Sequence, residues 1–158
     1  MGPGATTRVV PIEPFDGNTI PFESSHIEVL KHIQGDTDEN TMLWIPGQKI
    51  LVGGDVVFNN MHVYTAETNS QARREWLNSL NTIRELKPSV VIPGHTNVGA
   101  PLDASTAVEF TKTYLLAFEE ELTKAKGRDG FINAMKERFP SAELFLAIER
   151  GAAANVKP

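Results

Sequence analysis

The chain has no cysteine, so neither a disulfide framework nor a thiolate metal site is open to it, and any metal ion must be held by histidine and carboxylate. It also lacks an excess of basic charge. Its 15 lysines and arginines face 20 aspartates and glutamates, a formal net charge of -5, which offers no cationic field to a phosphate backbone or an anionic membrane surface. Nucleic acid is therefore not an expected partner. No apolar run approaches the roughly 18 residues that a bilayer span needs, and the opening "MGPGATTR" contains no apolar h-region. The expectation is a cytoplasmic protein with neither membrane anchor nor secretory signal. There is no Gly-x-Ser-x-Gly elbow, so with cysteine also missing no nucleophilic hydrolase is visible. Internal repeats and low-complexity tracts are absent as well. What is present is 158 residues with 41% hydrophobic content, enough for one globular domain with a sizeable core.

The first half reads as strands. "RVV", "NTIPF", "SHIEVLKHI", "TMLWI" and "KILVGG" are short apolar or alternating runs. The Asp-Gly in "FDGN" (15–18) and the Pro-Gly in "IPGQK" (45–49) supply reversals between them, which predicts an antiparallel meander over 8–54. At Asn69 the period changes. Trp76, Leu77, Leu80, Ile83 and Leu86 recur at helical spacing, with Asn69 or Ser70 as cap and Pro88 as stop. "SVVIPGH" then reads as a short buried strand. Asp103 and Ser105 open a second helix through Val108, Leu115, Phe118 and Leu122. Gly127 and Gly130 interrupt it, Phe131, Ile132 and Met135 mark a short helix ending near Pro140, and "SAELFLAIER" marks another before a small, polar tail. The acidic run "EEEL" at 119–122 reads as a solvated helix face. The order predicts an α/β fold built as an α+β sandwich layer rather than a doubly wound sheet.

Two strand ends carry chemistry. "KILVGGD" delivers Asp55 and "SVVIPGH" delivers His95, each after an apolar strand and a glycine. A paired strand fixes the direction of the residue at its tip, and glycine lets the backbone turn there. Carboxylate and neutral imidazole are both ligands for zinc, manganese or iron. Taken alone, an aspartate in a turn more often caps backbone N–H groups and a lone histidine is more often structural, so spacing leaves both readings open.

Taken together and in order, "GDTDENTMLWIPGQKILVGGDVVF" and "VVIPGH" resemble the C-terminal half of the metallo-beta-lactamase superfamily, over roughly residues 8–118. "VVFNNMHVY" and "RREWLNSL" are most similar to its hydrolase-like members of unassigned substrate. The resemblance implies half of an αββα sandwich, with an antiparallel or mixed sheet and helices on one face. It also implies a divalent metal, zinc before manganese or iron, and places Asp55 at the metal-bridging aspartate and His95 at the last histidine ligand. Where the family has a further histidine in a polar loop, this chain has Gln34 or Asp36, depending on the loop gap. Glutamine is a poor ligand. Asp36 is an acceptable oxygen ligand that shifts preference toward harder ions, its other reading being a loop aspartate bonding its own backbone. His62, in the loop that flanks the site in the resembled hydrolases, is read either as touching substrate or metal or as a surface histidine. Asn59 and Tyr64 nearby offer hydrogen bonds or simply make a turn.

The family's upstream His-x-His-x-Asp-His loop has no counterpart among His26, His32, His62 and His95. Residues 1–158 thus read as one domain, a single half of the fold, with additional C-terminal helices over 127–158. One half leaves a sheet face bare. The expected cover is a second copy, forming a homodimer, or a missing N-terminal half; the helices from 129 to 152 folding back is the other option. The functional expectation is a metal-dependent hydrolase of a small-molecule substrate, incomplete or inactive as a lone chain. Its alternative is a non-catalytic binding or assembly module dimerising through the exposed sheet face.

Overall fold

The computed structural model describes residues 10, 11 and 13–157. Among them, β1 (Thr19–Phe22), β2 (Ser25–Ile33), β3 (Asn40–Ile45), β4 (Ile50–Asn59) and β5 (Val90–Thr96) form one sheet in chain order. The helices are α1 (Ser70–Leu86), α2 (Ala104–Lys124), α3 (Gly127–Arg138) and α4 (Phe145–Asn155).

The antiparallel meander is present but runs from Thr19 to Asn59. Arg8 and Val9 of "RVV" lie outside the described residues, and Val10 is in no strand. "FDGN" precedes the first strand instead of reversing the chain. The β1–β2 hairpin turns at Glu23 and Ser24, with Glu23 at a φ of 51°, a left-handed conformation that two-residue hairpins demand. "IPGQK" does reverse the chain, between β3 and β4. β5 joins parallel to β4, through the crossover helix α1 that a parallel pair requires. Asn69 caps that helix by accepting from the N–H groups of Gln71 and Ala72, and Lys87 ends it in the left-handed region just before Pro88.

The two faces of the sheet differ. Trp44, Leu51 and Val91 form a cross-strand row in the buried core with Trp76, Leu80 and Ile83 of α1 and Val108, Leu115 and Phe118 of α2. On the opposite face, Leu43, Val52 and Ile92 stand in one row and Ile45, Ile50 and Val90 in the next. No helix among the described residues covers them: all six keep solvent contact, and Ile92 is 39% exposed. "SVVIPGH" is therefore not buried on both sides as its apolar run suggests. The C-terminal helices do not fold back over this face. α3 packs on α2 and α4 on α3, which thickens the helix layer.

α4 also runs through "GAAAN", read above as a tail. Gly151 sits so close to Thr65 that a β-carbon there would collide with its hydroxyl, and Ala152 is fully buried. The small residues permit the close approach. The "EEEL" run is only partly solvated. Glu119 pairs with the buried Arg73 of α1, whose guanidinium also donates to Thr68 O (2.7 Å) and Asn155 Oδ1 (2.9 Å), tying α1, α2 and α4 together. Glu121 meets Arg138 of α3.

Candidate functional site

Asp55 is presented by an irregularity in β4. Gly54 pairs with Pro93 and Phe58 with His95, so four steps along β4 span two along β5. The surplus backbone bulges, a device that re-aims a side chain. Gly54, at a φ of 53°, supplies the conformation that a side chain resists. The bulge is held by bonds that replace the missing ladder. Trp76 Nε1 donates to Val56 O (2.8 Å), and the Phe58 N–H donates to Thr111 Oγ1 (2.9 Å). Both helices of the core thus reach through to fix the backbone on either side of Val57.

His95 comes to the same place from β5. Its ring stacks on Phe58, with centroids 5.0 Å apart and planes 20° apart, and its Nε2 lies 3.3 Å from Asp55 Oδ1, both side chains a little over two-fifths exposed. Gly94 makes this approach feasible. A β-carbon at that position would collide with the Asp55 carboxylate and come within 2.7 Å of Gly54 C.

The polar loop 34–39 presses on the bulge from the other side. Gly35 is buried, and a β-carbon there would meet Asp55 O at 2.9 Å and Val56 Cα at 3.1 Å. Asp36 N–H donates to Asp55 O across 3.4 Å, while its carboxylate accepts from Asn40 Nδ2 at 3.0 Å. Burial raises the pKa of Asp36 most, opposed by the bonds from Asn40 and the Thr37 backbone, and the charges of Asp55 and Glu67 push it further up. The three carboxylates are thus near enough for Asp36 to feel the other two. Gln34 turns away from any such role, its Nε2 donating to Gly35 O (2.9 Å). Glu67 was not singled out from the sequence; it follows β4 by eight residues in a loop without motif character.

The flanking residues divide. Asn59, 3% exposed, donates from Nδ2 to Pro101 O (3.0 Å). Tyr64 is half-buried at the edge of the core cluster. His62 is no surface histidine: it is fully buried, with Nδ1 3.0 Å from Tyr114 Oη and Phe145 beside its ring. Burial drives its pKa down from 6.5 to about 4, with Lys136 contributing second. Burial also holds the Tyr114 hydroxyl protonated far above its usual range, so the His62–Tyr114 pair is a neutral hydrogen bond, while His62 Nε2 is buried without a partner.

The structure therefore brings Asp55 and His95 together and sets Asp36 against the Asp55 backbone. Among the described residues, no three histidine or acidic side chains converge on one ion position. A catalytic zinc takes about three protein ligands and an open position; this pair fits as part of such a set and not as the whole. No helix among the described residues is long and apolar enough to cross a membrane.

A family model described as the metallo-beta-lactamase superfamily matches residues 3–95. Among solved structures, a metallo-beta-lactamase from Pontibacter korlensis is 26% identical with a TM-score of 0.52, over 65% of this chain and 47% of that one. A metallo-beta-lactamase family protein from Thermus thermophilus is 21% identical with a TM-score of 0.59, over 89% and 48% of the two chains. A beta-lactamase domain protein from Burkholderia ambifaria is 20% identical with a TM-score of 0.57, over 95% and 47%. The last two likenesses show the fold alone. The chain spans about half the length of each of these structures. No curated protein matches it.

Proposed function

This chain belongs to the metallo-beta-lactamase superfamily, and from that premise we propose that it is a metal-dependent hydrolase domain whose ion site its own fold supplies only in part. The observation that carries this reading is the 3.3 Å approach of His95 Nε2 to Asp55 Oδ1 on a braced bulge, with both groups open to solvent. Members of the superfamily generally bind divalent metals. An imidazole and a carboxylate suit zinc, manganese or iron; the Asp36 carboxylate, which accepts from Asn40, does not converge with them on one ion position. Such an ion, when bound, lowers the pKa of its water and polarises the scissile group of a small-molecule substrate. The chain's own residues hold the Asp55 carboxylate and His95 ring in place and keep them accessible.

The missing donors come, in this reading, from a second copy docked on the open sheet face as an isologous dimer. The aliphatic rows carry no charge, so two copies meet there without like-charge repulsion. The solved structures of this fold are about twice as long as this chain, which leaves room for a second layer of similar size. Metal analysis of the purified full chain tests the proposal. A stoichiometric ion that is lost in both Asp55→Ala and His95→Ala supports it. An ion-free unmutated protein contradicts it and favours the second reading, a non-catalytic assembly module, whose support is the lack of a third convergent donor among the described residues.

A further inference from the structure

The His95 side chain is 42% exposed, so its surroundings on the open side leave the ring plane free to turn. A ligating imidazole is commonly fixed by a hydrogen bond from its other nitrogen to a carboxylate or carbonyl. Among the described residues His95 Nδ1 makes no such bond; the polar contact of the ring is at Nε2, 3.3 Å from Asp55 Oδ1. What meets the ring instead is the face of Phe58, its cross-strand partner, with centroids 5.0 Å and planes 20° apart. Phe58 in turn is fully buried and packs against Trp76 of α1, the rings 6.2 Å apart and tilted by 60°. The registered pairs of β3 with β4 end at Val52, so at Phe58 a side chain of α2 takes the place of a neighbouring strand. Thr111 Oγ1 accepts from the Phe58 N–H (2.9 Å) and lies 2.9 Å from both Phe58 O and Ala107 O, to one of which its single proton goes. Thr111 is buried as well, so no water competes for these bonds.

We propose that Phe58 is the positioning residue of His95: its ring face sets the imidazole plane that brings Nε2 to Asp55 before any ion arrives, and Trp76 and Thr111 transmit that setting from the two core helices. The proposal rests on the reading of Asp55 and His95 as part of an ion site. A site of this kind works only if its ligands are held within roughly 10–20° of the productive direction by neighbours that are themselves locked. An aromatic pair contributes beyond the area it buries, and a ligand already held in its binding orientation gives up less freedom when the ion binds. Being fully buried, Phe58 acts only through His95.

The test begins with NMR of the isotope-labelled full chain free of metal. The His95 ring protons should lie upfield of those of the exposed His32, as protons over an aromatic face do, with nuclear Overhauser contacts to the Phe58 ring and to the Asp55 β-protons. A His95 ring without either contact overturns the proposal before any variant is made. In Phe58→Leu the contact to Asp55 should weaken, the χ1 couplings of His95 should move toward averaged values, and zinc affinity should fall by about tenfold. Phe131→Leu is the control, an equally buried phenylalanine on α3 packed against Phe118; it should lose stability in urea while leaving the His95 couplings and zinc affinity unchanged. Thr111→Val keeps the Phe58 ring but strands its N–H, and should weaken zinc in the same direction; it decides the matter if Phe58→Leu does not fold. Unchanged couplings and zinc affinity in Phe58→Leu, or an equal loss in Phe131→Leu, overturn the proposal. A chain that binds no zinc, yet loses the His95–Asp55 contact in Phe58→Leu alone, supports Phe58 as the group that orients His95 and overturns the ion reading by itself.

Discussion

A methyl group at Gly94 would collide with the Asp55 carboxylate and press on Gly54, so Gly94→Ala must shift one of two backbones. The expected cost is about 1–3 kcal/mol in urea unfolding, together with weakened zinc binding, because the carboxylate is the group displaced. Unchanged stability and unchanged zinc affinity would show that Asp55 is not set by this contact. That Asp55 and His95 each follow an apolar run and a glycine was legible in the sequence; that β4 continues past Asp55 to Asn59, so that Asp55 sits in a bulge and not at a strand tip, was not. That Gly94 exists to admit Asp55 was not, because the contact joins two strands far apart in the chain and depends on their register. His62 was legible as a histidine near a strand end but not as a buried one; its cover comes from Tyr114 and Phe145, on helices far along the sequence. Its titration has a definite sign. The unfolded chain takes up a proton near 6.5, whereas the folded ring resists until about 4. The stability tied to neutral His62 is therefore fully present above 6.5 and is lost as pH falls toward 4. Integrated over that window it amounts to about 3 kcal/mol. Urea midpoints measured across this range should fall for the unmutated protein and flatten in His62→Gln; an equal slope in both would assign the loss to other groups.

The β4 bulge is the element that makes a site out of a strand. Its free carbonyl at Val56 is taken by the Trp76 indole N–H (2.8 Å), which Trp76→Phe removes while keeping most of the ring. About 1–3 kcal/mol is expected for the stranded acceptor, with additional loss from the smaller ring, and zinc affinity should drop although Trp76 touches no ligand atom. Stability loss with intact zinc affinity would mean that the bulge holds its shape without the indole. Other elements show where local signals end. The helix over 70–86 was readable to its caps, because spacing, Asn69 and Pro88 agree. The β1–β2 turn was not, because Glu23 adopts a left-handed conformation without a glycine or asparagine to mark it. Nor was the end of α4, where "GAAAN" looks like a tail until Gly151 is seen packed against Thr65.

For the molecule as a whole, the uncovered sheet face decides the interpretation. Its central strands carry apolar residues on both faces, yet among the described residues helices cover one side only. The bare face was anticipated from the resemblance to a single half of a two-half fold; the C-terminal helices as its cover are excluded by their packing on α2 and on each other. If a second copy docks there, Ile92→Lys should yield a folded monomer with unchanged far-UV circular dichroism, measured with light scattering. An unaltered mass would place any association elsewhere. The most direct measurement is native mass spectrometry of the full chain in zinc, which reads chain number and bound ion in one species. A two-chain species carrying zinc, with the ion gone in Asp55→Ala and His95→Ala, is the expected result; a single chain free of zinc at every protein concentration would contradict the proposed half-site.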